Sequence, residues 1–142
     1  MIQESRTMIS VARARAAIDA VVAAAEAAGF TVAVAVVDDH GDLIAAQRMD
    51  GCRPRSMRMT QRKAYTAAIM DRNTSAFHEE LDTLHRQIGY YGDPMLCGLP
   101  GGVVVRNASG QTIAAIGVTG NAKNRDEELA ATGIPFLCGS SS

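Results

Sequence analysis

A chain of 142 residues is the length of one ordinary domain and can bury a core without disulfides or metal. Apolar residues make up 47% and charged residues 20%, which excludes disordered and fibrous classes. The formal net charge of −1 argues against a general nucleic-acid or membrane-surface binder.

Aromatic residues are only 4%, Trp is absent and Ala is abundant. The core is therefore expected to be thin, built from Ala, Val, Ile, Leu and seven Met with closely packed elements. Such a shortage of bulk suits burial against further subunits. Cys52, Cys97 and Cys138 form no C-x-x-C pair, so reduced thiols and a cytoplasmic setting are expected. The start, Met1 to Thr7, carries Glu4 and Arg6 and lacks the apolar centre of a signal peptide. No stretch approaches a membrane span. One domain over 1–142 is expected, with loosely ordered ends at 1–8 and 136–142.

The pattern predicts a helix from Ser10 to Ala28, with Ile18, Val21, Val22 and Ala25 on one face and Gly29 just past its end. Phe30 to Val37 is a short β-branched run, apolar on both faces, and reads as a buried strand. Asp38-Asp39-His40-Gly41-Asp42 is turn chemistry, and Leu43 to Met49 is its hairpin partner. Pro54 opens a second helix reaching Met70. Asn73 or Thr74 caps a third, where Phe77, Leu81, Leu84 and Ile88 repeat at helical spacing. Gly89 to Gly102 reads as a long loop, Val103 to Arg106 as a strand and Gln111 to Thr119 as its partner. An acidic helix near Asp126 to Thr132 ends at Gly133 and Pro135. The order α-β-β-α-α-β-β-α predicts an α+β domain, one antiparallel sheet of two hairpins with helices packed on it.

Several short motifs follow one another along this frame. They are Val36-Val37-Asp38-Asp39-His40-Gly41-Asp42-Leu43, Arg48-Met49-Asp50-Gly51, Ser56, and Lys63-Ala64-Tyr65-Thr66-Ala67. Gly101-Gly102, Ala115-Ile116-Gly117-Val118-Thr119-Gly120 and Asp126-Glu127 complete the series. In this order they resemble the GlcG/HbpS-like family, the haem-degrading domain family, over about Ile9 to Ile134. The resemblance implies a profilin-like or PAS-like layered domain and homo-oligomers. It also implies haem as a ligand of some members. The His that haem-binding members supply from the N-terminal segment or first helix has no counterpart here, because no His precedes His40. Haem would need His40, His78, His85, a Met or a Cys.

Arg53, Arg55, Arg58, Arg62 and Lys63 crowd the second helix and its approach, with no acid between Asp50 and Asp71. Like charges at i, i+4, as in Arg58 and Arg62, repel unless an anion lies between them. Guanidinium groups bind carboxylate and phosphate through paired hydrogen bonds. Ser56, Thr60 and Lys63 add neutral and cationic donors. The same charges also suit a solvated face or salt bridges to Glu79, Glu80 and Asp82 of another subunit. Thr119-Gly120-Asn121 leaves a buried strand towards a helix, where exposed amides can hold an anionic group. Cys52 beside the basic helix can serve as nucleophile or acid/base, or be a small apolar residue. Cys97 offers the same pair of readings. His78, Asp82 and His85 share a stripe on the third helix, though no metal is expected. Tyr90 and Tyr91 read either as a lid or as surface packing.

These residues lead to a homo-oligomer that binds a small carboxylate-bearing metabolite, with no nucleic-acid or membrane partner. Its enzymatic form is a tautomerase or isomerase without cofactor. Arg48, Arg58 or Lys63 would hold the anion and Asp50 or Cys52 move the proton. Ser56, Thr60, Thr119, Gly120 and Asn121 complete the expected site. The alternative is a haem- or tetrapyrrole-binding redox or sensor module.

Overall fold

The structure is a computed structural model of the chain and describes residues 8–122 and 124–138. Helix α1 runs Val11–Ala28. The Ser10 hydroxyl accepts from the Arg13 N–H at 3.1 Å and caps its start. Gly29 closes its end with φ 80, a left-handed turn that a Cβ would strain. Strands β1 (Val32–Asp38) and β2 (Leu43–Arg48) form the first hairpin. Asp38 Oδ1 holds the turn by accepting from the N–H groups of His40 at 2.8 Å and Asp42 at 3.0 Å. Helix α2 (Pro54–Met70) and helix α3 (Thr74–Thr83) follow, then a single 3-10 turn at Ile88–Tyr91. Strands β3 (Gly102–Arg106) and β4 (Thr112–Gly120) make the second hairpin, and short helices α4 (Asp126–Ala131) and α5 (Ile134–Leu137) end the fold.

The sheet is antiparallel in the order β2-β1-β4-β3, with β1 and β4 joining the two hairpins. This is the expected α+β architecture. Side chains alternate between the two faces. Val32, Val34, Val36, Ile116 and Val118 form one cluster with Ala14, Ile18 and Val21 of α1. On the other face, Val37 and Ala115 pack with Ala64, Ala67 and Ala68 of α2.

That second face explains the poverty in large side chains. A Cβ on Gly117 would lie 2.1 Å from the carbonyl oxygen of Thr60, and one on Gly102 would lie 2.3 Å from that of Lys63. The α2 backbone thus presses directly on β3 and β4, closer than any other residue at these two positions permits.

One expectation is corrected. Helix α3 stops at Thr83 and does not run on to Ile88. Leu84 is 47% exposed, and His85 turns left-handed with φ 54. Of the four periodic residues only Phe77 is fully buried, so beyond it the stripe has little to pack against. The chain returns to place Tyr91 edge-on to Phe77, ring centres 5.4 Å apart. The acidic helix α4 stops before Gly133 as expected, and a further short helix, α5, follows it. Pro135 sits in the first turn of α5, where its missing N–H costs nothing. In the tail, Leu137 is fully buried in the α1 cluster. The remaining end residues, 1–7 and 139–142, lie outside the described residues.

Candidate functional site

Pro54 takes the first helical position of α2, where its fixed φ suits a helix start. Arg53 is therefore the N-cap, with extended backbone (φ −68, ψ 145), and its side chain makes no capping hydrogen bond. The first turn contains no acidic residue. Ser56 N–H donates back to Arg53 O at 3.0 Å, while the other first-turn N–H groups have no internal acceptor by helix geometry. The helix dipole adds a partial positive charge at this end.

This uncapped end faces the open end of the sheet, where the β1–β4 ladder finishes at the pair Val32–Gly120. Just beyond it, Asn121 and Thr31 clasp one another. Thr31 N–H donates to Asn121 Oδ1 at 2.8 Å, and Asn121 N–H donates to Thr31 O at 3.3 Å. Between helix and sheet lies a cavity of about 580 Å³. Cys52, Arg53, Arg55, Ser56 and Met59 line one side; Thr31, Thr119, Gly120 and Asn121 line the other, with Leu99 between. Among the described residues, no carboxylate lines it. Ser56 is only 8% exposed, and no described residue hydrogen-bonds its hydroxyl. Thr119 Oγ1 is likewise buried without a partner in the wall. A buried hydroxyl without a partner, as at Thr119, is uncommon in packed protein.

Five of the expected site residues thus meet: Cys52, Ser56, Thr119, Gly120 and Asn121. The other five stand elsewhere. Arg48 is exposed on β2, Asp50 is exposed in the turn after it, and Arg58 is exposed on α2; none lines the cavity. Thr60 is fully buried and donates its hydroxyl hydrogen to Ala33 O at 3.0 Å, tying α2 to β1. Lys63 is 3% exposed; its ammonium donates to Val118 O and to Asp126 Oδ2, each at 3.1 Å. Burial pushes the Asp126 carboxyl above its ordinary value of 3.8, and the neighbouring Lys63 charge only partly offsets that.

The guanidinium groups on the cavity are Arg53 and Arg55, members of the basic run not singled out from spacing alone. Pro54 was the available signal, since a proline at the first helical position places its two neighbours at the helix mouth. Thr31, Met59 and Leu99 had no signal, because only tertiary packing brings them there.

The His78–Asp82–His85 stripe does not persist, since His85 lies past the end of α3. His78 Nδ1–H donates to Gly98 O at 2.9 Å. Tyr90 is 72% exposed and Tyr91 accepts its place on Phe77, so neither lines the cavity. Cys97 is buried beside Thr66, whose hydroxyl oxygen accepts from its N–H at 2.8 Å. None of the three histidines lines the cavity either; Cys52 and Met59 are the lining residues that could hold a haem iron, through sulfur. Among the described residues, no helix is long and apolar enough to cross a membrane.

The sequence profile of the haem degrading protein HbpS-like family matches residues 9–135. Protein GlcG of Escherichia coli K12 is 35% identical over 116 residues, covering 82% of this chain and 84% of GlcG. The crystal structure of a double mutant of Streptomyces reticuli HbpS is 34% identical and superposes with a TM-score of 0.85, covering 98% of this chain and 92% of that one. A crystal structure of a PduOC–haem complex shares the fold at 22% identity, with a TM-score of 0.80 over 92% of this chain and 96% of that one. Length, order of motifs and superposition agree: the chain belongs to the HbpS-like family.

Proposed function

We propose that this protein binds a small carboxylate-bearing molecule in the cavity between the α2 N-terminus and the Thr119–Asn121 end of β4. The observation that carries the reading is the unopposed positive character of that cavity. Arg53, Arg55 and an uncapped helix N-terminus border it, with no lining carboxylate among the described residues. The unpartnered Ser56 hydroxyl supplies a neutral donor at the same end. Met59 and Leu99 add short apolar walls, which fits a compact organic anion better than a hydrated inorganic one.

A catalytic version, a cofactor-free tautomerisation beside the carboxylate, would draw on Cys52 to move the proton. Asp50 and Lys63 lie outside the cavity wall. Assembly into homo-oligomers belongs to the same reading: Leu43, Ile69 and Leu99 are large apolar side chains left exposed on one copy.

Titration with pyruvate, followed by amide NMR, tests the reading. Shifts should concentrate at Cys52–Met59 and Thr119–Asn121. Shifts scattered elsewhere, or none, would remove it.

The second reading is haem binding, favoured by the description of the matching family as haem degrading. A visible-spectrum titration with haemin decides between them. A sharp Soret shift abolished by replacing Cys52 or Met59 would promote haem at this cavity.

A further inference from the structure

We infer that Cys52 is a nucleophile directed at the cavity's ligand, and that this ligand is a carboxylate carrying a carbonyl group, an oxo acid. The inference rests on the anion-site reading above. Cys52 is half-buried on the cavity wall, immediately before the N-cap Arg53 and within one helical turn of Arg55 and Ser56. It is the single thiol there: Cys97 is buried beside Thr66, and Cys138 is exposed past α5. A carboxylate held by Arg53 and Arg55 would bring the adjoining carbon to the same helix mouth as the sulfur.

The Ser56 hydroxyl is the independent sign that a ligand oxygen belongs at this end. The residue is more than nine-tenths buried and lines the cavity, and its hydroxyl has no hydrogen-bond partner among the described residues. A carbonyl oxygen accepting from that hydroxyl and from a first-turn N–H of α2 would be polarised towards attack. In the step, the thiol sulfur forms a bond to the carbonyl carbon and the π electron pair moves to the oxygen. The thiol proton ends on that oxygen, giving a hemithioketal. Atoms and electrons balance without oxidant, reductant or metal, and the reverse step releases the oxo acid unchanged.

Two alkylating probes that differ in charge test the first half. Iodoacetate carries a carboxylate and iodoacetamide does not; the other thiols serve as internal controls. Peptide mass spectrometry should show Cys52 modified severalfold faster by iodoacetate than by iodoacetamide, with the opposite order at Cys138. Replacing both Arg53 and Arg55 by Met should abolish the preference. The same order of rates at Cys52 and Cys138 overturns the inference. Pyruvate labelled with carbon-13 at its carbonyl carbon tests the second half. Wild type should show a new tetrahedral-carbon resonance that Cys52→Ser lacks while retaining the pyruvate-induced amide shifts. Amide shifts without that resonance overturn the oxo-acid inference alone. Absence of both removes the anion-site reading with it.

Discussion

Lys63 of α2 and Asp126 of α4 meet at 3.1 Å with only 4% and 16% of their side chains exposed. A cation that the basic run offers to a ligand is instead spent inside the fold, where it also grips Val118 O. Asp126 Oδ1, the other carboxylate oxygen, is buried without a partner among the described residues. Such a pair is weak support for stability while intact, but losing one member leaves a charge stranded. Lys63→Met should therefore cost about 3 kcal/mol in urea denaturation at neutral pH. Lys63→Met combined with Asp126→Leu should recover most of that loss. A double variant no more stable than the single would show that something other than the stranded charge is responsible.

Asp126 also sets a pH dependence. Burial raises its folded pKa above 3.8, the ordinary value that the unfolded chain is expected to keep. The folded state then binds the proton more tightly than the unfolded state. This contribution to stability is complete below 3.8 and is lost as pH rises through the folded pKa. Carbon-13 NMR of the side-chain carboxyl should give a midpoint above 3.8, higher still in Lys63→Met. A wild-type midpoint at or below 3.8 would mean that the Lys63 charge outweighs burial.

The contact of α2 with the sheet predicts a steric result. Gly117→Ala places a methyl against the Thr60 carbonyl, and Gly102→Ala places one against that of Lys63. Each should cost about 3 kcal/mol, since neither backbone can retreat without disturbing the other face of the sheet. Gly89→Ala, with nothing within 4 Å of the added carbon, should stay within about 0.5 kcal/mol of wild type. Thermal unfolding of the three variants provides the comparison. Equal melting temperatures would sink the close-contact account of the small-residue core.

At the cavity, Arg55→Ala should weaken pyruvate binding about tenfold, the value of one charge-assisted hydrogen bond. Ser56→Ala should weaken it less, since a neutral donor is lost. Arg58→Ala should leave affinity unchanged, because Arg58 is exposed on α2 outside the cavity wall. Equal effects of Arg55→Ala and Arg58→Ala would indicate a diffuse basic surface without a defined site.

Much of the frame was legible because it rests on neighbours in the chain. The α1 boundaries follow from Ser10 and Gly29, and the α2 start from Pro54. The strands follow from the Val/Ala runs that cover both faces of β1 and β4. The end of α3 was hidden, because Leu84 satisfies helical spacing yet is left 47% exposed.

For the cavity, the residue types alone marked the two segments, a basic helix start and a Gly-containing strand end. Which members of each segment meet depended on packing. Helical spacing makes Ser56, Thr60 and Lys63 neighbours on one face of α2, yet Ser56 alone reaches the cavity. Further along, the sheet takes the hydroxyl of Thr60, and a carboxylate 63 residues distant takes the ammonium of Lys63. Local sequence sets the direction in which a side chain leaves its element. What waits there is brought by the rest of the fold, and at the mouth of α2 it is a space with no carboxylate on its wall among the described residues.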